Sequence, residues 1–272
     1  MRPLPRLPLP LLMVAPNGAN RTKADHPALP VTLDEIVATA RACHAAGANG
    51  LHLHLRDAQQ RHLLDAGRYR EALAELRRAV PGMALQVTTE ANGIYASPHQ
   101  RRVALQTGAE LISAALREIV RDTPADEAAA FYRLCAERGI AVQHILYDAG
   151  ELDLLRRVLP RQMFTDPGLQ LLFVLGRYTP GQSSAPDALA PFLAGLKRHG
   201  IAPDWMVCAF GRGETACLRA AHAAGGKLRV GFENSLVNED GQIARDNAER
   251  VLRLRAALDL PAPAPQPDPA CA

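Results

Sequence analysis

Residues 32–55 read TLDEIVATARACHAAGANGLHLHL, and their change of period decides the fold. From Thr32 to Ala46 the apolar positions recur at helical spacing, and Thr32 with Glu35 three residues later forms a capping box at the start. Gly47 closes that helix. From Gly50 the period falls to two: Leu51, Leu53 and Leu55 alternate with His52 and His54, the pattern of a strand with two unlike faces.

The same exchange of helix for strand recurs outward in both directions. Apolar runs at 9–15, 50–55, 83–88, 110–115, 140–146, 169–175, 204–210 and 227–232 read as strands. Helical segments follow them at 32–46, 66–79, 97–107, 124–138, 150–159, 185–198, 213–224 and 243–258. Ser97-Pro98 reads as a cap followed by a proline at the first helical position, and Gly139 and Gly200 close two further helices. Strands that alternate with helices are parallel, because a parallel crossover needs about a dozen residues. Eight such units predict an α/β protein, a single (β/α)8 TIM barrel over residues 1–260, with the proline-rich stretch 261–272 as a flexible tail. The competing doubly wound sheet lacks support, since no G-x-G-x-x-G follows the first strand and no phosphate-binding G-x-x-x-x-G-K-[ST] occurs.

Composition narrows the function. The 272 residues carry 31 basic and 28 acidic side chains, a formal net charge of +3, and only 4% aromatics. That balance lacks the basic excess and the stacking surface that nucleic-acid binding draws on. No apolar run approaches the roughly 20 residues of a membrane span. The opening MRPLPRLPLPLLMVAPNG imitates a secretory signal, but prolines interrupt it and no small-residue cleavage site follows. Cys43, Cys135, Cys208, Cys217 and Cys271 are odd in number and scattered, which predicts free thiols in a cytoplasmic protein.

In a barrel the chemistry belongs at the carboxyl ends of the strands. Alternation turns Leu51, Leu53 and Leu55 toward the helices and His52 and His54 into the lumen, where two neutral imidazoles suit one metal ion. Glu233 ends the eighth run, on a strand separated from the second only by the first. It completes a His2Glu set with a coordination position left open, as catalytic zinc requires. Asn17, Asn20, Thr88, Thr89, Glu90, Ser113, Arg212 and Arg229 fall at the same predicted end, each with an ordinary reading as a cap or surface group. His144, Tyr147 and Asp148 near the fifth strand stay unassigned.

NGANRTKADHPALPVTLDEI, GLHLHLRD and LRVGFEN, in that order across nearly the whole chain, resemble the β-keto acid cleavage enzyme family, typified by 3-keto-5-aminohexanoate cleavage enzymes. The resemblance implies a cytoplasmic homotetramer of (β/α)8 barrels with one zinc ion per chain. It also implies acetyl-CoA as co-substrate: a β-keto acid and acetyl-CoA would yield acetoacetate and a new acyl-CoA. His52, His54 and Glu233 would be the ligands, and Arg229 would support proton transfer. Thr88 and Ser113, with Asn20, would bind the keto acid. Two departures stand out. Asn234 occupies the place of an aspartate and cannot serve as a carboxylate base, and Asn20 stands where a glutamate is usual. Glu90, an acid where glycines are usual, is the expected replacement, so Arg229, Glu90 and Asn234 form the expected catalytic set. A metal-dependent hydrolase of the amidohydrolase type and a non-catalytic metal-binding barrel are the alternatives. Arg21, Lys23, Arg177 and Arg212 are candidates for CoA phosphates or an acidic substrate tail.

Overall fold

The computed structural model describes residues 3–261. The expected proline-rich tail, beyond its first residue, and Cys271 lie outside the described residues. Eight parallel strands close into a barrel: β1 (Leu12–Val14), β2 (Gly50–Leu53), β5 (Ala84–Thr88), β6 (Leu111–Ala115), β7 (Ala141–Leu146), β8 (Gln170–Leu175), β9 (Asp204–Ala209) and β10 (Lys227–Val230). Strands β3 (Leu55–Arg56) and β4 (His62–Leu63) form a small antiparallel hairpin outside the barrel. Closure falls where β1 pairs with β10 on one side and β2 on the other, so the carboxyl ends of β10 and β2 flank that of β1.

Helices α1 (Leu33–Ala45), α2 (Ala66–Ala79), α3 (Ser97–Gln106), α4 (Leu116–Ile119), α5 (Ala125–Glu137), α6 (Glu151–Val158), α7 (Arg161–Phe164), α8 (Ala190–His199), α9 (Glu214–Ala223) and α10 (Asn247–Ala257) surround the strands. The capping box of α1 forms as read: Glu35 N donates to Thr32 Oγ1 at 3.3 Å, and Glu35 Oε2 accepts from Thr32 N at 3.0 Å. The cap expected at Ser97 does not form. Ala96 is the N-cap, Ser97 is already helical, and its hydroxyl donates to Ile119 O at 2.6 Å. The last carbonyl of α4 lacks an intrahelical donor, and the buried Ser97 hydroxyl satisfies it.

Strand alternation divides the core. Leu51, Leu53, Val87, Ile112, Phe173 and Val207 pack outward among Ile36, Tyr69, Phe131 and Leu218 of the helices. Met13, Leu111, Leu172 and Met206 fill the lumen, with Ala115, Ile145, Val174 and Phe210 in the same inner cluster. The run read as a strand from 50 to 55 ends at Leu53, because His54 O accepts from Asn17 Nδ2 at 3.2 Å instead of continuing the ladder. The chain then leaves the barrel for the hairpin.

A buried ion pair locks the last units together. Arg250 on α10 donates to Glu214 Oε2 on α9 and to Asn238 Oδ1 at 2.9 Å, with both charged side chains at most 2% exposed. Asn247 on the same helix accepts from Phe232 N at 2.9 Å and donates to Pro16 O at 3.0 Å, joining the loops after β10 and β1. Those loops carry the site. Cys43, Cys135, Cys208 and Cys217 are free and buried, and no described helix is long and apolar enough to cross a membrane.

Candidate metal centre

His52 and His54 occupy the top of β2 and the residue just past it, two positions apart and so on the same lumen face. Their Nε2 atoms stand 3.0 Å apart. Glu233 reaches them from the turn after β10, with Oε2 at 3.6 Å from His52 Nε2 and 3.7 Å from His54 Nε2. A tetrahedral zinc ion with bonds of about 2.0–2.1 Å spaces its ligand atoms about 3.3–3.4 Å apart. Among the described residues, these three alone form a group of metal-binding type.

The surrounding bonds leave the right atoms free. Glu233 Oε1 accepts from Arg229 Nη2 at 2.9 Å, whereas the buried Oε2 has no donor. His52 Nδ1 donates to Gln86 Oε1 at 2.8 Å, which turns the lone pair of Nε2 toward the centre. Gln86 Nε2 in turn donates to Gln143 Oε1 at 2.9 Å, an amide relay across the lumen. Burial, then the Arg229 charge, push the His52 imidazole down to about 4, and burial with the neighbouring His52 holds His54 well below its ordinary value. Both rings are therefore neutral at neutral pH, the form in which imidazole binds a metal. Burial works to raise Glu233, but Arg229 and then His52 outweigh it and hold the carboxyl below its ordinary range. Two imidazole lone pairs, a carboxylate oxygen without a donor and an open side toward a cavity fit a catalytic metal.

The backbone around Glu233 is equally constrained. Gly18, at φ +62°, passes so close that a Cβ there would lie 2.5 Å from Glu233 Cγ. Arg56 of the hairpin ties down the same loop by donating to Gly18 O and to Arg21 O at 3.0 Å. Replacing Gln86 with leucine keeps the shape of the lumen but removes the acceptor of His52 Nδ1–H. Zinc affinity is expected to weaken about 10- to 100-fold, read by competition with a chromogenic chelator.

A cavity of about 180 Å³ opens above the centre. Asn20, Thr88, Glu90, Arg229, His52 and Glu233 line it, so it brings together most of the residues singled out from the sequence. Glu90 Oε2 stands 3.8 Å from His54 Nε2. Burial and the nearby Glu233 and Glu118 push its carboxyl up to about 7. His62 Nε2 donates to Glu90 O at 2.7 Å and fixes that residue from the hairpin. His54 sits beside His52 but outside the cavity lining, and neither Ser113 nor Asn234 of the expected substrate and catalytic residues lines it. Ser113 is register-paired with Thr88 but buried, its hydroxyl without a partner. Asn234 is fully buried, and neither polar atom of its amide has a partner.

A family model of the beta-keto acid cleavage enzyme matches residues 11–262. The chain belongs to this family. A 3-keto-5-aminohexanoate cleavage enzyme of Fusobacterium nucleatum is 28% identical to it over 251 residues, 89% of each chain. A 3-oxoadipate:acetyl-CoA acetyltransferase of Cupriavidus necator is 27% identical over 258 residues, 90% of this chain and 87% of that one. Among solved structures, ObcA in ternary complex with a C4-CoA adduct and oxalate superposes with a TM-score of 0.67 at 19% identity, over 85% of this chain and 64% of ObcA. That likeness concerns the barrel.

Within this family member, two further residues noted in the sequence, Asn17 and the unassigned Tyr147, also line the cavity. Asn17 donates to both Pro30 O and His54 O, linking the first loop to one of the candidate metal ligands. Tyr147 lines the cavity beyond β7, whereas His144 points away and packs against Tyr132.

Proposed function

We propose that the chain is a zinc-dependent β-keto acid cleavage enzyme, converting R–CO–CH2–COO⁻ and acetyl-CoA into acetoacetate and R–CO–S-CoA. The observation that supports this most is the meeting of His52, His54 and Glu233 at the cavity that Arg229 and Glu90 line, in a chain of this family. The proposal extends to a cytoplasmic homotetramer, as the resemblance implies.

Zinc held by the two imidazoles and Glu233 supplies Lewis-acid stabilisation of the negative charge that develops on the keto oxygen. The other tasks fall to the protein. Glu90 takes the proton from the carbon between the keto and carboxylate groups; it is the carboxylate among the described cavity residues that holds no ligand position. Arg229 Nε and Nη1 are buried without partners while Nη2 holds Glu233, so two preorganised N–H groups remain for substrate oxygens. Thr88 Oγ1 accepts from Glu90 N at 3.0 Å, which leaves its own hydroxyl proton for the substrate carboxylate. Asn20 offers a second donor at the rim. Ile145, Val174 and Phe210 form an apolar wall that keeps water from the carbanion.

The bonds balance without a redox partner. The carbon deprotonated by Glu90 forms a bond to the acetyl carbonyl and releases CoA thiolate. The thiolate then bonds to the original keto carbon, and the carbon–carbon bond beside it breaks. Acetoacetate leaves after taking back one proton. The test is to incubate zinc-loaded protein with acetyl-CoA and neutral, cationic and anionic β-keto acids in turn. At least one is expected to give acetoacetate and a new acyl-CoA in equal amounts. No product from any of them, with zinc at one per chain, would overturn the proposal.

A further inference from the structure

The loop from β8 to α8 is seated backbone to backbone on the turn after β9. A Cβ at Gly211 would lie 2.2 Å from Gln182 O, and one at Gly213 would lie 2.0 Å from Ser184 O. At the base of the loop, Gly176 takes φ +80° with Ser183 O only 2.7 Å from where its Cβ would be. Ser184 Oγ donates to Phe210 O at 2.8 Å, and Thr179 Oγ1 lies 2.6 Å from Ser183 O. Glycine is needed at these contacts, and their closeness holds the loop at the cavity mouth.

From that loop Arg177 and Gln182 both line the cavity. The Arg177 guanidinium lies over the Phe210 ring, 5.1 Å from its centroid. No described carboxylate stands within ion-pair distance of it. The other lining cations have other roles: Arg229 holds Glu233 and Cys208 through Nη2 and keeps its remaining N–H groups for the reacting end of the substrate, and Arg21 donates to Phe232 O. The lining acids are engaged as well, Glu233 at the metal centre and Glu90 in proton transfer, so no carboxylate remains to receive a cationic tail. The charge of Arg177 is felt at a distance by Glu90 and Glu233, but with no carboxylate paired to it at close range the guanidinium favours an anion, and its planar fork takes a carboxylate through two hydrogen bonds.

We propose that Arg177, with Gln182 from the same loop, binds the far end of the keto acid, and that the preferred substrate carries a second carboxylate there. This rests on the reading of the cavity as a β-keto acid site. A CoA phosphate offers the same anionic oxygens, and the test separates the two sources.

The matched pair is 3-oxoadipate and 3-oxohexanoate, equal in chain length and different in the terminal charge. Wild-type protein is expected to favour the dicarboxylate in kcat/KM by about 10- to 100-fold, the range of one charge-assisted pair. Arg177→Gln is expected to bring that ratio to within about threefold of one, mainly through KM for the dicarboxylate, and Arg177→Lys to restore part of it. In parallel, calorimetry with unreactive adipate and hexanoate reads the same preference without turnover. Absence of turnover with both acids, together with an adipate preference that Arg177→Gln removes, would defeat the cleavage reading and leave the anion subsite standing. Equal binding of adipate and hexanoate by the wild type would overturn the subsite. So would an Arg177→Gln variant that raises KM for acetyl-CoA and leaves the ratio intact, since the anion would then be a CoA phosphate.

Discussion

His52→Ala is expected to purify folded, to hold less than about a tenth of the wild-type zinc, and to lose activity by about a thousandfold or more. His52 Nε2 lies 3.0 Å from His54 Nε2 and 3.6 Å from Glu233 Oε2. Its loss leaves one imidazole and one carboxylate, too few to close a four-coordinate site with a single open position. Glu233 keeps its bond to Arg229, so the remaining ligands do not move together to compensate. The fold survives because the ring faces the lumen beside Gln86, whereas the outer core rests on Leu51 and Leu53 of the same strand. Metal analysis and circular dichroism on the same sample separate the two effects. Wild-type zinc content with full turnover in the variant would remove His52 from the centre.

Glu90→Gln is expected to lower kcat by about 100- to 10,000-fold, the usual contribution of a positioned proton acceptor. Zinc content and KM for the keto acid should change no more than a few-fold. The substitution preserves shape and the backbone bond from His62, and removes only the ability to accept a proton. A substrate deuterated between the keto and carboxylate groups should then show a larger isotope effect in the variant than in the wild type. Full turnover by zinc-loaded Glu90→Gln would show that another group takes the proton. Asn234 is a poor alternative: it is an amide, and it lies buried outside the cavity lining.

The barrel and the meeting of His52, His54 and Glu233 were legible because they rest on periodicities. Alternation alone turned His52 and His54 away from Leu51 and Leu53, and strand adjacency alone brought Glu233 back beside β2. Registers across the lumen were harder to read. Thr88 and Ser113 are register partners and equally buried, yet only Thr88 lines the cavity. Gln86 and Gln143 did leave a signal. Each is an amide inside an apolar run, on the face that points into the barrel, where a polar side chain requires a partner. Loop-borne groups left a residue type but no place: Arg177 stood as one of four candidate cations, and its position depends on a backbone path set by Gly176, Gly211 and Gly213. The hairpin was hidden for a related reason. Leu55 continues the alternation of the strand before it, and only the capture of His54 O by Asn17 ends the barrel strand there. Ser97 misled because its residue type suits a cap, while the nearby carbonyl of Ile119 had the greater need.

The most direct test of the account follows the acetyl group. Zinc-loaded protein is given unlabelled β-keto acid and acetyl-CoA carrying ¹³C at both acetyl carbons, and the products are read by carbon NMR and mass spectrometry. Cleavage through a carbon–carbon bond to the acetyl carbonyl predicts acetoacetate labelled at its keto and methyl carbons, formed one for one with an unlabelled new acyl-CoA. Label recovered as free acetate, with no labelled acetoacetate, would mean thioester hydrolysis and would contradict the account.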